Sequence, residues 1–165
     1  MKNLTYYVWL MAVVISLTSC SKDNVEELDS ADLTTTVTPV SYSDLELEVL
    51  DLVNAYRSQQ GLSELQAVNE GSVQAASHND HMISSNEVCH DYFGSRYQAL
   101  VQQVKAEAVS ENVGYGYRTA DAVVNAWINS EGHRENILGD FTHFGISVKE
   151  GKDGKFYFTN IFVRK

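Results

Sequence analysis

Residues 155–163, KFYFTNIFV, decide the fold of this chain. Successive side chains of a strand point to opposite faces. Phe156, Phe158 and Phe162 therefore share one face, and Tyr157, Ile161 and Val163 share the other. A strand that is apolar on both sides needs one covering layer above it and another below. Just upstream, Phe144, Ile146 and Val148 also alternate, and Asp153-Gly154 between the two runs is a hairpin signal. The covering layers are helical. Leu45, Val49, Leu52, Val53 and Tyr56 form one apolar stripe at helical spacing, with Ser43 placed to cap its start and Gly61 its end. The expected fold class is α+β, a three-layer α-β-α sandwich around a small antiparallel sheet.

Further helices are expected at about residues 71–84, where Val73, Ala76 and Met82 supply apolar positions, and at about 97–108. Residues 85–98 read as irregular, and SENVGYGY, residues 110–117, reads as strand or loop. Thr119 and Asp121 then open a helix, since a hydroxyl cap and a first-turn carboxylate both suit its positive end. Val123, Val124, Trp127 and Ile128 give that helix a buried face.

The 165 residues leave room for one compact domain, here set at 42–165. Residues 1–19 read as a lipoprotein signal peptide, with Lys2 ahead of an apolar run from Leu4 to Leu17 that is short for a membrane span. Leu17-Thr18-Ser19-Cys20 resembles a bacterial lipobox, so Cys20 is the expected lipidation site and the membrane an expected partner. Residues 20–41 then form an acidic linker, with Asp23, Glu26, Glu27, Asp29 and Asp32 against Lys22. Acidic residues behind a lipidated cysteine resemble surface-export signals, a plain spacer being the alternative. The expected location is the cell envelope, as an outer-membrane lipoprotein. Removal of residues 1–19 takes away Lys2 alone and moves the formal charge from −10 to −11, with 11 basic against 22 acidic residues. Such a surface repels phosphate backbones, which argues against nucleic acid as a partner. Only Cys89 then remains as a free thiol, so no internal disulfide is available.

WINSEGHRENIL, residues 127–138, raises the question of chemistry. If Ser130 caps a new helix, His133 sits at its third position, where the positive helix end disfavours the imidazolium and keeps a neutral ring. His90 lies in the irregular stretch VCHDY, and Glu111 precedes glycines that permit close packing. Two imidazoles and a carboxylate brought together from distant segments suit an open Zn²⁺ site completed by water. Other candidates read as structural. His78 and His81 are three apart on a helix, a spacing able to chelate, yet they are expected to support the fold. Cys89 beside His90 suggests a nucleophile pair, but adjacent side chains point apart, and a small buried thiol is expected. Ser110 or Ser130 with His133 and Glu111 imitates a hydrolase triad without any G-x-S-x-G elbow.

Four segments, Asn54-x-x-Arg57, Met82 to His90, SENVGYGY and Trp127 to Arg134, together resemble the bacterial branch of the CAP superfamily. This is the group of cysteine-rich secretory proteins, antigen 5 and pathogenesis-related 1, also called SCP-like extracellular domains. The likeness covers about residues 43–163. The family's G-E-N-[IV] appears as Ser110 to Val113, and its bacterial W-x-x-S-P-G-H-R as Trp127 to Arg134. The resemblance implies an α-β-α sandwich with a central cleft lined by His90, Glu111 and His133, where many members hold a divalent cation. Eukaryotic members add a second glutamate; here Ser130 stands in its place, with Glu131 one residue on as the candidate fourth ligand.

The expected function is a cell-envelope binding module with a cleft able to hold Zn²⁺ or another divalent cation and to take an unknown small-molecule, lipid or protein ligand. The alternative is a metal-dependent hydrolase acting on peptide or envelope substrates, with Glu111 and His133 as its catalytic residues and Glu111 the general base for a metal-bound water. A purely structural role in the envelope is the third reading.

Overall fold

The structure, a computed structural model, describes residues 40–165. The expected signal peptide, Cys20 and nearly all of the acidic linker lie outside the described residues. The chain runs α1 (Asp44–Gln59), β1 (Gln66–Ala67), α2 (Asn69–Ser85), α3 (Phe93–Val104), β2 (Ala108–Tyr115), α4 (Ala120–Asn129), α5 (Glu131–Leu138), β3 (His143–Glu150) and β4 (Phe156–Arg164). The four strands form one sheet in the order β1-β3-β4-β2. The helices pack on both faces of it, so the expected three-layer sandwich is the fold. The sheet is mixed, however, because the two-residue β1 pairs parallel to the start of β3. A strand this short leaves no alternation to read.

β4 is central, and its two faces divide the core as its pattern demands. Phe158 and Phe162 are fully buried with Val49 and Val53 of α1, Val123, Val124 and Trp127 of α4, and Ile137 of α5. Ile161 and Val163, on the opposite face, pack with Ala75 of α2 and Leu100 of α3. Each fully buried side chain of this size contributes about 1.5–3 kcal/mol. Ser43 caps α1 in a full capping box with Glu46, and Thr119 caps α4 by accepting from the Ala122 N–H. α3 starts four residues earlier than expected and ends at Lys105, whose φ of 60° turns the chain into β2.

α2 lies so close to β3 that only glycine fits at the crossing. A Cβ on Gly145 would stand 2.3 Å from the Gly71 carbonyl carbon and 2.5 Å from the Ser72 nitrogen. Neither backbone atom can step aside as a flexible side chain would. Gly145→Ala should therefore destabilise the domain at or beyond the upper end of the about 1–3 kcal/mol range for overpacking. Urea unfolding of wild type and variant measures it, and a loss below about 1 kcal/mol would show that the layers separate freely.

Two motif residues prove architectural. Asn54 bonds both backbone groups of Leu65, at 3.0 and 2.8 Å. Arg57, 2 % exposed, donates to the carbonyls of Ser63, Ile137, Gly139 and Phe141. It thereby closes the C-terminal end of α5, whose last carbonyls have no partner within the helix. No described helix is long and apolar enough to cross a membrane.

Candidate functional site

Glu111 stands in the middle of β2, and its carboxylate is the hub of the site. Arg96, in the first turn of α3, grips it with two bonds: Nε to Oε2 and Nη2 to Oε1, each 2.8 Å. His90 Nδ1 lies 2.9 Å from Oε1. A carboxylate accepts, so this His90 nitrogen carries the proton and donates. His78 Nδ1 is 3.5 Å from Oε2. Burial pushes the Glu111 carboxyl up, but the bonds from His90 and Arg96, with the guanidinium charge, outweigh it and hold the group below the usual carboxylate range. Glu111 is thus an ionised acceptor with both oxygens bonded to Arg96.

Arg96 is the site residue that the sequence reading missed. It is 5 % exposed and is the single charged residue of α3. It falls on the same helical stripe as Phe93 and Leu100, and a lone arginine on an apolar stripe needs a buried anion. That signal was available. The same guanidinium donates through Nη1 to the Asp91 carbonyl at 2.6 Å, which pins the loop carrying His90.

His78 occupies the buried face of α2. The Thr159 hydroxyl donates to Asn79 Oδ1 at 2.7 Å, so its oxygen is left to accept from His78 Nδ1 at 3.2 Å. That fixes the proton on Nδ1 and leaves Nε2 buried without a hydrogen-bond partner. Burial brings this histidine's pKa down to about 4, against the opposing charge of Glu111. The structural role expected for His78 holds. It is a neutral ring wedged between helix and sheet.

His133 is at the third position of α5, as the sequence spacing demands, but its surroundings differ from the expectation. Ser130 makes no side-chain bond to the helix backbone; its hydroxyl meets His133 Nδ1 at 2.9 Å instead. Burial first, and the nearby charge of His90 second, lower the pKa of this ring. Side-chain amides tie this segment to the hub. Asn112 Nδ2 donates to the His133 carbonyl, and Asn136 Nδ2 donates both to the Glu111 carbonyl and to Asn112 Oδ1. Glu131, in the first turn of α5, is exposed and lines none of the cleft.

The cleft itself has a volume of about 280 Å³ and is lined by His90, Phe93, Val109, Ser110, Glu111 and Asn136. Two walls are apolar, and the Ser110 hydroxyl is buried there without a hydrogen-bond partner. A cation on the expected set of His90, Glu111 and His133 would meet a fixed positive charge at the carboxylate. Both oxygens of Glu111 are bonded to a fixed positive charge, and a dication ligated there would face the guanidinium at close range. Cys89 is half-buried against Met82, Val113 and Tyr157, not enclosed as expected. Its sulfur lies near His81 and Asp91.

The model of the family described as CAP, the cysteine-rich secretory protein family, matches residues 50–163. The chain is a CAP-family protein. Its curated relatives include the Bacillus subtilis protein YkwD, 38 % identical over 121 residues, covering 71 % of this chain and 47 % of the relative. The Bacillus subtilis membrane protein YlbC is 34 % identical over 123 residues, 72 % of this chain and 34 % of the relative. The CAP domain thus spans less than half of either relative. Among solved structures, an outer surface protein of Borrelia burgdorferi shares the fold with a TM-score of 0.66 at 19 % identity, over 74 % of this chain and 96 % of the other. An extracellular SCP-domain protein of Bacillus anthracis str. Ames gives 0.63 at 26 % identity, over 78 % and 45 %.

Proposed function

We propose that the CAP domain is an extracellular binding module displayed at the cell envelope, whose cleft takes a small ligand group with an apolar body and a hydrogen-bonding head. The observation that carries this is the engagement of both Glu111 oxygens by Arg96. A general base at neutral pH needs a raised pKa and a free lone pair directed at its substrate. Glu111 has a lowered one, with both oxygens bonded to Arg96. Its part is to orient His90, whose side chain is 54 % exposed and presents its other ring nitrogen outward. Phe93 and Val109 would cover the apolar body, and the unpartnered Ser110 hydroxyl with His90 and Asn136 would meet the head. Apolar walls with a few convergent polar groups are the usual make-up of a small-ligand site.

Ligand-observed NMR on the full chain, with short amphiphilic amides and alcohols as probes, tests this reading. Wild type should give saturation transfer that Phe93→Ala and His90→Ala abolish. Hydrolysis of a peptide substrate that depends on Glu111, with no probe binding, would overturn it.

The envelope location rests on the family's extracellular and surface relatives and on the lipobox-like Leu17 to Cys20. In this reading Cys20 carries the lipid and the acidic linker is a tether. Cys20→Ala should release the protein from the membrane fraction or leave the precursor uncleaved. Normal processing with unchanged membrane partition would refute the anchor.

A further inference from the structure

The loop between α2 and α3 reaches two places. His90 bonds to Glu111, and its neighbours Cys89 and Asp91 bring their ligand atoms together at a second place. There they meet His81, one turn before the end of α2. The three residues each place a ligand atom within 4.8 Å of the other two, and His81 Nε2 is 3.6 Å from Asp91 Oδ2. We infer that His81, Cys89 and Asp91 form a Zn²⁺ site between this loop and α2, with water as the fourth ligand.

The chemistry of the set points to zinc. One thiolate, one imidazole and one carboxylate make a mixed soft and hard set that suits Zn²⁺ in tetrahedral geometry and suits the all-oxygen cations Mg²⁺ and Ca²⁺ poorly. Bond lengths of 2.0–2.3 Å around a tetrahedral zinc put ligand atoms roughly 3.3–3.7 Å apart. The His81–Asp91 separation already falls in that range, and the third ligand needs to close by no more than about 1 Å to reach it. A thiolate and a carboxylate together neutralise the dication, so binding buries no net charge.

The frame of the site is preset. His81 stands on a helix, with the edge of the Tyr92 ring against it at 5.0 Å between centroids. The Asp91 main chain is held by Arg96 at 2.6 Å. Tyr92 carries a φ of 59°, a conformation that costs a bulky residue of order 1 kcal/mol or more, and the chain accepts that cost at the point where Asp91 and His81 meet. None of the three proposed ligands lines the cleft, so the site stands independently of the cleft reading. When filled, it would tie the loop to α2.

Cobalt provides the direct test, because Co²⁺ takes the same ligands and reports them in its spectrum. Full-length protein with its thiol kept reduced should bind one Co²⁺ and show a thiolate-to-cobalt charge-transfer band together with tetrahedral visible bands, all displaced by Zn²⁺. Calorimetric titration should find Zn²⁺ affinity weakened by about 100-fold or more in Cys89→Ser and His81→Ala, each lacking one of three protein ligands. His90→Ala and His133→Ala should bind as wild type does. Asp91 is exposed, so Asp91→Asn tests the third ligand without threatening the fold. A Co²⁺ spectrum without the thiolate band, or binding lost in the His90 and His133 variants and kept in Cys89→Ser, would overturn the site. So would the absence of any one-to-one binding.

Discussion

Replacing Arg96 by methionine should lower the unfolding free energy by about 3–5 kcal/mol, the range for stripping one partner from a buried ion pair. Glu111 has 2 % of its side chain exposed and Arg96 6 %. Once the guanidinium is gone, the carboxylate keeps only the His90 bond and the contact with His78, which is too little to offset its desolvation. The carboxyl should then titrate upward, and His90 should lose its fixed orientation together with the Asp91 carbonyl anchor. The double variant Arg96→Met/Glu111→Gln should recover much of the loss, because a neutral amide is far cheaper to bury than an unpaired charge. Urea unfolding of the four proteins gives the coupling directly. A single-variant cost under about 1 kcal/mol would mean that water reaches Glu111 and that the buried hub does not exist.

The layers of the fold were legible because β4 is apolar on both faces, and each face found its helices. α1 and α4 were legible for a similar reason, since each has an apolar stripe and a hydroxyl cap. α2 shows where hydrophobic pattern fails. Val73, one of the apolar positions that marked the helix, is 48 % exposed, and the buried face is Ser72, Ala75, His78, Asn79 and Met82. This face binds the sheet by hydrogen bonds: Ser72 accepts from the Ile146 N–H, and Asn79 donates to the Ser147 carbonyl. A polar buried face looks like a solvent face until its partners across the layer are known. The same limit applies to the site. His90 and Glu111, singled out from separate segments, do meet in the structure. The identity of Glu111's main partner depended on where α3 begins, and placing that start four residues late left Arg96 in an irregular stretch. Reading 85–98 as irregular also hid the grouping of Cys89 and Asp91 with His81, which exists only because the loop folds back along the last turns of α2.

Acidification should destabilise the domain well above the pH at which carboxylates titrate, and His78 should be the main cause. In the native state its pKa is about 4, below the ordinary 6.5, because burial disfavours the imidazolium. Arg96, His90 and His81 add repulsion, while Glu111, the one anion facing the ring, opposes the shift without cancelling it. An unfolded chain takes up the proton near 6.5, whereas the native one resists until about 4. Between those values the unfolded state binds more protons, so stability falls as pH falls. The contribution is fully present above pH 6.5. Its loss approaches about 3 kcal/mol near pH 4, at about 1.4 kcal/mol per unit. Below that, Glu111 continues the decline in the same direction, since its native pKa is also depressed and its stabilising ion pair is lost on protonation. His133 and His143, both lowered chiefly by burial, add smaller contributions of the same sign. His78→Gln isolates the main group: its amide can still donate to Thr159, and it does not titrate. The variant should be less stable than wild type at pH 7 through imperfect packing, yet show a much flatter fall in urea midpoint between pH 6.5 and 4.5. A wild-type midpoint that does not change over that interval, or a variant that keeps the full slope, would show that His78 is protonated in the native protein and that its contact with Glu111 is a true ion pair.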